Sequence, residues 1–219
     1  MMAVLLLSAL GLALVLTTSA ESMIASNYQN AIEALYAAEA AADRAMLDVA
    51  MIPEWSSLFD GSATSSFVDG PPAGTRTLAD GLVLDLAQVV NRANCGKASA
   101  CSRTDLIGNA AGDRPWQSNN PVWHLYAFGP LNDLLPSSVP SPFYVVVLVS
   151  DDPSENDDDP LRDGTDPAAN PGAGLLAIRA EAFGPRSAHK IVELTVARTS
   201  VESGAGGAPL RILSWRELR

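Results

Sequence analysis

The chain has 219 residues, with 14 Lys and Arg against 25 Asp and Glu, and a formal net charge of −11. This acidic balance argues against a nucleic-acid-binding role that rests on a basic patch. Residues 53–219 are numerous enough for one globular domain with its own hydrophobic core.

The chain begins with a long apolar segment. Residues 1–20 carry no charged side chain, and the first proline is Pro53. At a rise of about 1.5 Å per residue, a helix of 20 residues spans about 30 Å, the thickness of a bilayer's hydrocarbon core. We therefore predict a membrane-anchor and assembly helix over residues 1–52, followed by an extracytoplasmic globular domain over residues 53–219.

Three other kinds of segment could also give such an apolar start, but each of them normally has a feature that differs from this chain. A cleaved secretory signal ending at Ala20 normally has a basic amino-terminal region, which is missing here. A simple bitopic anchor normally has Lys or Arg on its cytoplasmic flank, and these are also missing. An ordinary core helix is not usually extended by twenty residues that are uncharged and apolar enough to span a membrane.

The helical pattern continues beyond the apolar segment, where a signal peptide would end. Apolar residues recur at spacings of three and four, which predicts an amphipathic helix. Residues 31–50 contain nine alanines and no glycine or proline, a composition with high helix propensity. Glu39 lies off the apolar stripe, whose members are Ile24, Tyr28, Ala31, Leu35, Ala38, Ala42, Met46 and Val49.

Two short elements in this helix resemble a known family. Glu21, Met23, Ala25 and Asn27 form an E-x-M-x-A-x-N element, and residues 37–41 form an A-A-E-A-A element around Glu39. Their order and spacing after the apolar start are similar to those of PilX-type minor pilins of type IV pili, over about the first 45 residues. The resemblance implies a pilin fold, an inner-membrane anchor, and later assembly into an extracellular pilus.

The resemblance also implies partners and assembly residues. The partners would be other minor pilins, the major pilin, the inner-membrane assembly platform and a tip adhesin. Leu5 stands where most pilins have a glutamate, and such a substitution suits a position at the tip or at initiation. Gly11 allows close approach of neighbouring anchors. The residues assigned to assembly are Leu5, Gly11, Glu21, Tyr28, Leu35 and Glu39.

The globular domain shows several strand patterns. Alternating or continuous apolar runs predict strands at residues 81–86, 122–128, 143–150, 174–182, 189–199 and 210–215. The run at 143–150 is apolar throughout, which indicates a strand buried on both faces. Residues 61–77 are rich in Ser, Gly and Pro and are predicted to form an exposed connection, whereas residues 183–188 have the length of a hairpin turn. The predicted fold is α+β, a long helix packed on an antiparallel sheet of four or more strands.

The two cysteines, Cys95 and Cys101, enclose five residues. This spacing matches no zinc or thioredoxin-like motif and permits a local disulfide loop. We predict a structural disulfide, with two free thiols as the alternative.

The segment from Asp151 to Asp166 is the strongest candidate for chemistry. It contains eight carboxylates and one arginine, and carboxylates are the oxygen ligands that Ca²⁺ prefers. The register does not match an EF-hand loop. A solvated acidic loop that binds nothing is the alternative. The calcium candidates are Asp151, Asp152, Asp157, Asp159 and Asp163.

The sequence contains no catalytic signature. There are two histidines, His124 and His189, and no H-E-x-x-H, G-x-S-x-G or phosphate-binding glycine motif. We therefore expect a protein that is not an enzyme, and the sequence assigns it no certain cofactor. A pseudopilin of a type II-like secretion system is one alternative to the minor pilin. The other is a secreted adhesive or calcium-binding domain that begins near Glu21 after signal cleavage.

Overall fold

The computed structural model describes residues 1–107, 119–134, 140–152, 159–164, 174–199 and 210–218. The first element is helix α1, Met2–Ala50, which at about 1.5 Å per residue is about 74 Å long. Its last turn closes where the Met51 amide donates to the Asp48 carbonyl at 3.1 Å and the Ile52 amide donates to the Val49 carbonyl at 3.2 Å. The end predicted at Ile52 is thus correct to within two residues. The division into domains at residues 52 and 53 stays a prediction.

Five antiparallel strands form the main sheet, which confirms the predicted α+β fold. They follow one another in space in the same order as in the sequence. The strands are β3 (His124–Pro130), β4 (Tyr144–Asp151), β5 (Leu175–Gly184), β6 (Ala188–Arg198) and β7 (Leu210–Leu218). The predicted strands from residue 122 onward therefore exist, and their ends differ from the prediction by at most three residues. The predicted turn between β5 and β6 contains a short 3-10 helix, Pro185–Ser187.

Smaller elements complete the fold. The short helix α2 (Ser56–Phe59) adds Leu58 and Phe59 to the same core as α1. The others are β1 (Thr75–Thr77), β2 (Val83–Asp85), α3 (Leu86–Cys95) and α4 (Arg103–Ile107). Of these, β2 and α3 contribute Leu84, Leu86 and Val89 to a second core on the other face of the sheet. The exposed connection predicted for residues 61–77 is partly wrong, because β1 pairs with β2 and Ser65 is buried. The strand predicted over residues 81–86 is shorter, since Asp85 caps α3 by accepting hydrogen bonds from the Ala87 and Gln88 amides.

Strand β4 separates two hydrophobic cores. All eight of its residues are buried, which confirms burial on both faces. Val145, Val147 and Val149 face the core formed with α1. Tyr144, Val146 and Leu148 face a second core. The other buried residues of this second core are Leu78, Leu84, Leu86, Val89, Trp123 and Phe128.

The buried face of α1 consists mainly of alanines. It packs chiefly on β5 and β6, where Leu176, Ile178, Val192, Leu194 and Val196 point toward the helix. Alanine has no side-chain atom beyond Cβ, so the helix backbone lies close to the sheet. The buried residues of α1 are Ala34, Ala37, Ala38, Ala41, Ala42, Ala45 and Val49, and we call them the alanine face.

The predicted apolar stripe is therefore only partly correct. Ala38, Ala42 and Val49 belong to the alanine face, but Ile24 and Tyr28 are exposed. The centre of burial is displaced toward the alanines because a flat sheet accepts small residues at closest approach. The larger side chains of the stripe lie at the flank or beyond the end of the body.

Arg198 holds the carboxyl end of α1 against the sheet. Its guanidinium donates hydrogen bonds of 2.5 and 2.6 Å to the carbonyls of Ile52 and Pro53. It also lies 4.1 Å from the centre of the Trp55 ring, whose indole N–H donates to the Val49 carbonyl at 3.1 Å. A cation at this position satisfies carbonyls that follow the last turn of the helix and lies at the negative end of the helix dipole.

A charged network lies on the face of β5 to β7 that points away from α1. Arg179 contacts Glu181 at 2.7 Å and Glu193 at 2.9 Å, and Arg216 also pairs with Glu193. Glu181 is only 4% exposed, and its Oε2 lies 2.8 Å from Nε2 of His189. Burial raises the pKa of Glu181, but the contacts with His189 and Arg179 outweigh burial and hold the pKa below its usual value.

The alanine face predicts a large effect of side-chain volume. We expect Ala38→Leu to lower the free energy of unfolding by about 2 kcal/mol, because the added atoms have no space between α1 and β5. Chemical unfolding of the full-length protein in detergent measures this value. Ala25→Leu, on the exposed part of α1, is the matched control and should change it by less than about 0.5 kcal/mol. Equal effects of the two substitutions would contradict the packing.

Glu181 predicts a pH dependence. Since its folded-state pKa is lowered, ionised Glu181 stabilises the fold above the usual pKa of 4.5, and this stabilisation is lost as the pH falls through the lowered value. We expect Glu181→Gln to cost about 2 kcal/mol at pH 7. The difference from the natural chain should shrink in unfolding experiments below pH 4.5. The exposed control Glu33→Gln should show no such pH-dependent difference, and a constant cost at every pH would disprove the role of Glu181 ionisation.

Candidate assembly helix and acidic segment

The amino-terminal part of α1 extends beyond the body. Its apolar side chains are exposed from Met1 to Leu16, with Leu5 at 70%. An 18-residue window within α1 has a mean hydropathy of 2.2, and none of that window is buried. Its length and composition are sufficient to cross a membrane. The apolar segment therefore fits membrane anchoring, as predicted.

Three of the four hydroxyl side chains in residues 1–20 bond to their own helix. Ser8 donates to the Val4 carbonyl at 2.9 Å, and Thr17 donates to the Ala13 carbonyl at 2.9 Å. Thr18 likewise bonds the Leu14 carbonyl at 3.0 Å. Each of these three hydroxyls thus has a backbone carbonyl as its hydrogen-bond acceptor, which lowers the free-energy cost of placing it in hydrocarbon.

Charge begins abruptly at Glu21. Between residue 1 and Arg44 the helix carries four carboxylates, on Glu21, Glu33, Glu39 and Asp43, and no Lys, Arg or His. An apolar helix that becomes exclusively acidic at about its twentieth residue defines where the membrane-grade segment ends. Any protein that docks on the exposed flanks of residues 21–43 meets negative charge.

The six residues assigned to assembly occupy different surroundings along α1. Leu5, Gly11, Glu21 and Tyr28 are exposed beyond the body. Leu35 is half-buried and packs against the edge of the main core. Glu39 borders a groove beside β7. The helix places them in one continuous rod, and their role in assembly stays a prediction.

Cys95 and Cys101 form a disulfide, with their Cα atoms 6.0 Å apart, which confirms the predicted bridge. It closes the loop after α3, where Gly96 adopts a left-handed conformation with φ of 71° and ends the helix. The neighbouring Asn94 is buried. Its side chain donates to the Trp123 carbonyl at 2.9 Å and accepts from the Trp123 amide at 2.8 Å. Asn94 therefore ties α3 to the start of β3, a role with no local sequence signal.

The acidic segment begins at the end of β4. Asp151 is 2% exposed, and its carboxylate accepts a hydrogen bond of 2.9 Å from the Asp152 amide. Asp159 accepts from the Leu161 amide at 3.3 Å and lies 3.5 Å from Arg162. Asp157 lies outside the described residues. The described carboxylates thus already have intramolecular contacts.

Asp163 has a structural position. Its carboxylate accepts a hydrogen bond of 2.7 Å from the Gly174 amide, and its own amide donates to Oγ of Ser56. Burial raises the pKa of Asp163, even though the Gly174 hydrogen bond and the nearby Arg198 act in the opposite direction. Asp163 thus connects the acidic segment to the start of β5 and to α2.

The predicted calcium ligands fall only partly within the residues that the structure describes. Within residues 1–107, 119–134, 140–152, 159–164, 174–199 and 210–218, no three His, Cys, Asp or Glu side chains form a group suited to hold a metal ion. Calcium binding stays a prediction, since Asp157 and its neighbours were part of it.

The chain matches no family model, no curated protein and no solved structure.

Asp163 can be tested by paired substitutions. Asp163→Asn keeps a carbonyl oxygen for the Gly174 amide and removes a charge whose pKa is raised by burial. We expect it to be at least as stable as the natural chain at neutral pH without calcium. Asp163→Ala should lose about 1 kcal/mol, because the buried amide loses its acceptor. Thermal unfolding in a chelating buffer measures both, and equal losses in the two variants would contradict the hydrogen-bonding role.

The same variants test calcium. The structural role of Asp163 predicts that adding Ca²⁺ shifts the unfolding temperature of the natural chain and of Asp163→Asn equally. A calcium-dependent rise in the natural chain that is absent in Asp163→Asn would instead place Asp163 among the metal ligands.

Proposed function

We propose that the protein is a minor pilin of the PilX type. It is held in the inner membrane by the apolar start of α1 and enters a type IV pilus through that helix, with the α+β body directed outward. The observation that carries this proposal is the contrast between the two parts of helix α1. The first part exposes membrane-grade side chains, and the last part is buried on the sheet through the alanine face.

This division suits transfer from membrane to filament. Because the body is attached only to the carboxyl-terminal part of α1, the apolar part is available to pack first with lipid and then with other apolar helices. The small residues Ala3, Ser8, Ala9, Gly11 and Ala13 permit close helix–helix approach where no hydrophobic driving force acts. The proposed partners are the major pilin, other minor pilins, the assembly platform and a tip adhesin.

Leu5 supports a terminal position for the subunit. With leucine at this position, residues 1–20 contain no carboxylate that could pair with a neighbour's amino terminus inside an apolar filament. Such a subunit gains nothing from insertion at a repeated position along the shaft. It is suited to the tip, or to starting assembly.

The first experiment is mass spectrometry of the amino terminus of the protein recovered from native membranes. The proposal predicts a chain that begins at or near Met1 and carries a methylated amine, the product of prepilin processing. A chain that begins near Glu21 would disprove it and leave a secreted domain with a cleaved signal.

Leu5 also keeps a second candidate open, a pseudopilin of a type II-like secretion system. Both candidates share the anchor and its processing. Deletion of the gene separates them, since the minor pilin predicts loss of surface pili with secretion intact. Loss of secretion with intact pili would favour the pseudopilin.

A further inference from the structure

A groove lies between α1 and the last strand of the sheet. It has a volume of about 180 Å³, and we call it the β7 groove. Trp215 and Ile212 of β7 are 48% and 49% exposed there, because the alanine face is centred on β5 and β6. The residues that line the groove are Glu39, Ala42, Asp43, Leu194, Ile212 and Trp215.

One wall of the β7 groove is acidic. Glu39 and Asp43 are one helical turn apart, so that their carboxylates repel each other. In the part of the chain that the structure describes, neither forms an ion pair. Three cations near them in sequence or on the neighbouring strands have other partners: Arg44 pairs with Asp48 at 3.0 Å, Arg216 with Glu193, and Lys190 with Glu217.

The other surfaces of the groove complement a cationic side chain. Leu194 and Ile212 provide an aliphatic floor, on which the methylene stem of an arginine or lysine can lie. Trp215 provides an aromatic ring, and a guanidinium or ammonium group is attracted to the face of such a ring. Two carboxylates, one indole and an apolar floor together select a cation with a long stem over an anion or a neutral polar group.

We propose that the β7 groove binds an arginine or lysine side chain, flanked by an apolar residue, from a segment of a partner protein. Charge complementarity is the reason for this occupant. The cationic group binds between Glu39 and Asp43 against Trp215, and its apolar neighbour covers Ile212. The exclusively acidic flank of α1 from Glu21 to Asp43 adds a long-range attraction for a basic partner. This inference does not depend on the pilin assignment.

The test uses the full-length protein in nonionic detergent micelles, with ¹⁵N-labelled tryptophan. The probe is the peptide acetyl-Leu-Arg-Leu-amide, and the neutral control peptide has citrulline in place of arginine. Trp215→Phe assigns the indole resonance of Trp215 among the four tryptophans of the chain. We expect a saturable shift of this resonance with the arginine peptide, and binding weaker by about threefold or more with the citrulline peptide.

Two variants separate the acidic wall from general charge. Glu39→Gln combined with Asp43→Asn should weaken binding of the arginine peptide by about threefold or more and remove the preference over citrulline. Glu33→Gln is the matched control, since Glu33 is an exposed carboxylate on α1 that does not line the groove and contacts Gln29 at 2.8 Å. It removes one charge of the acidic flank and none from the groove, so it should weaken binding far less than the double variant and keep the preference over citrulline.

Three outcomes would overturn the proposal. The first is a Trp215 resonance that does not respond to the arginine peptide, or responds equally to the citrulline peptide. The second is a shift with protein concentration alone, which would make a second copy of this chain the occupant. The third is a shift without peptide when residues 201–209 are replaced by a glycine-serine linker, which would assign the groove to the chain's own connection before β7.

Discussion

The close packing of the alanine face of α1 on strands β5 and β6 is the constraint on which the rest of the structure depends. The interface has no large helical side chain at its centre, so its stability comes from close contact between the helix backbone and the Leu, Ile and Val residues of the sheet. The buried residues of α1 lie between Ala34 and Val49, whereas residues 1–25 of the helix are exposed. The first part of the helix can therefore lie in a membrane while its last part stays packed on the sheet.

The distribution of charge follows from the same arrangement. The face of the sheet that contacts α1 is apolar, while its other face toward β7 carries the network of Arg179, Glu181 and Glu193, in which each buried charge has an opposite partner. At the end of α1, the guanidinium of Arg198 likewise has partners, since it donates hydrogen bonds to two backbone carbonyls. In contrast, Glu39 and Asp43 form an acidic wall beside exposed apolar residues, which is why the β7 groove has the chemistry of a recognition site.

The elements with the strongest local patterns were predictable, and those determined by distant contacts were not. The apolar run of β4 and the alternation in β6 indicate strands because they repeat with the period of a pleated sheet. Helix α3 has a local cap at Asp85, but its packing through Leu86 and Val89 depends on the second core, whose other members are distant in sequence. The structural positions of Asn94 and Asp163 had no signal, because their partners lie 29 and 11 residues away in sequence.

The sequence by itself determined that the chain begins with a long helix whose uncharged first part fits a membrane anchor, that an antiparallel sheet follows, and that the two cysteines are spaced for a local bridge. These features depend on composition and on periods of two or 3.6 residues, which are local properties. Only the tertiary structure decided which face of α1 is buried and which strand is left beside an open groove. Those outcomes depend on how closely a helix and a sheet can approach, and that distance is determined jointly by side chains far apart in the chain.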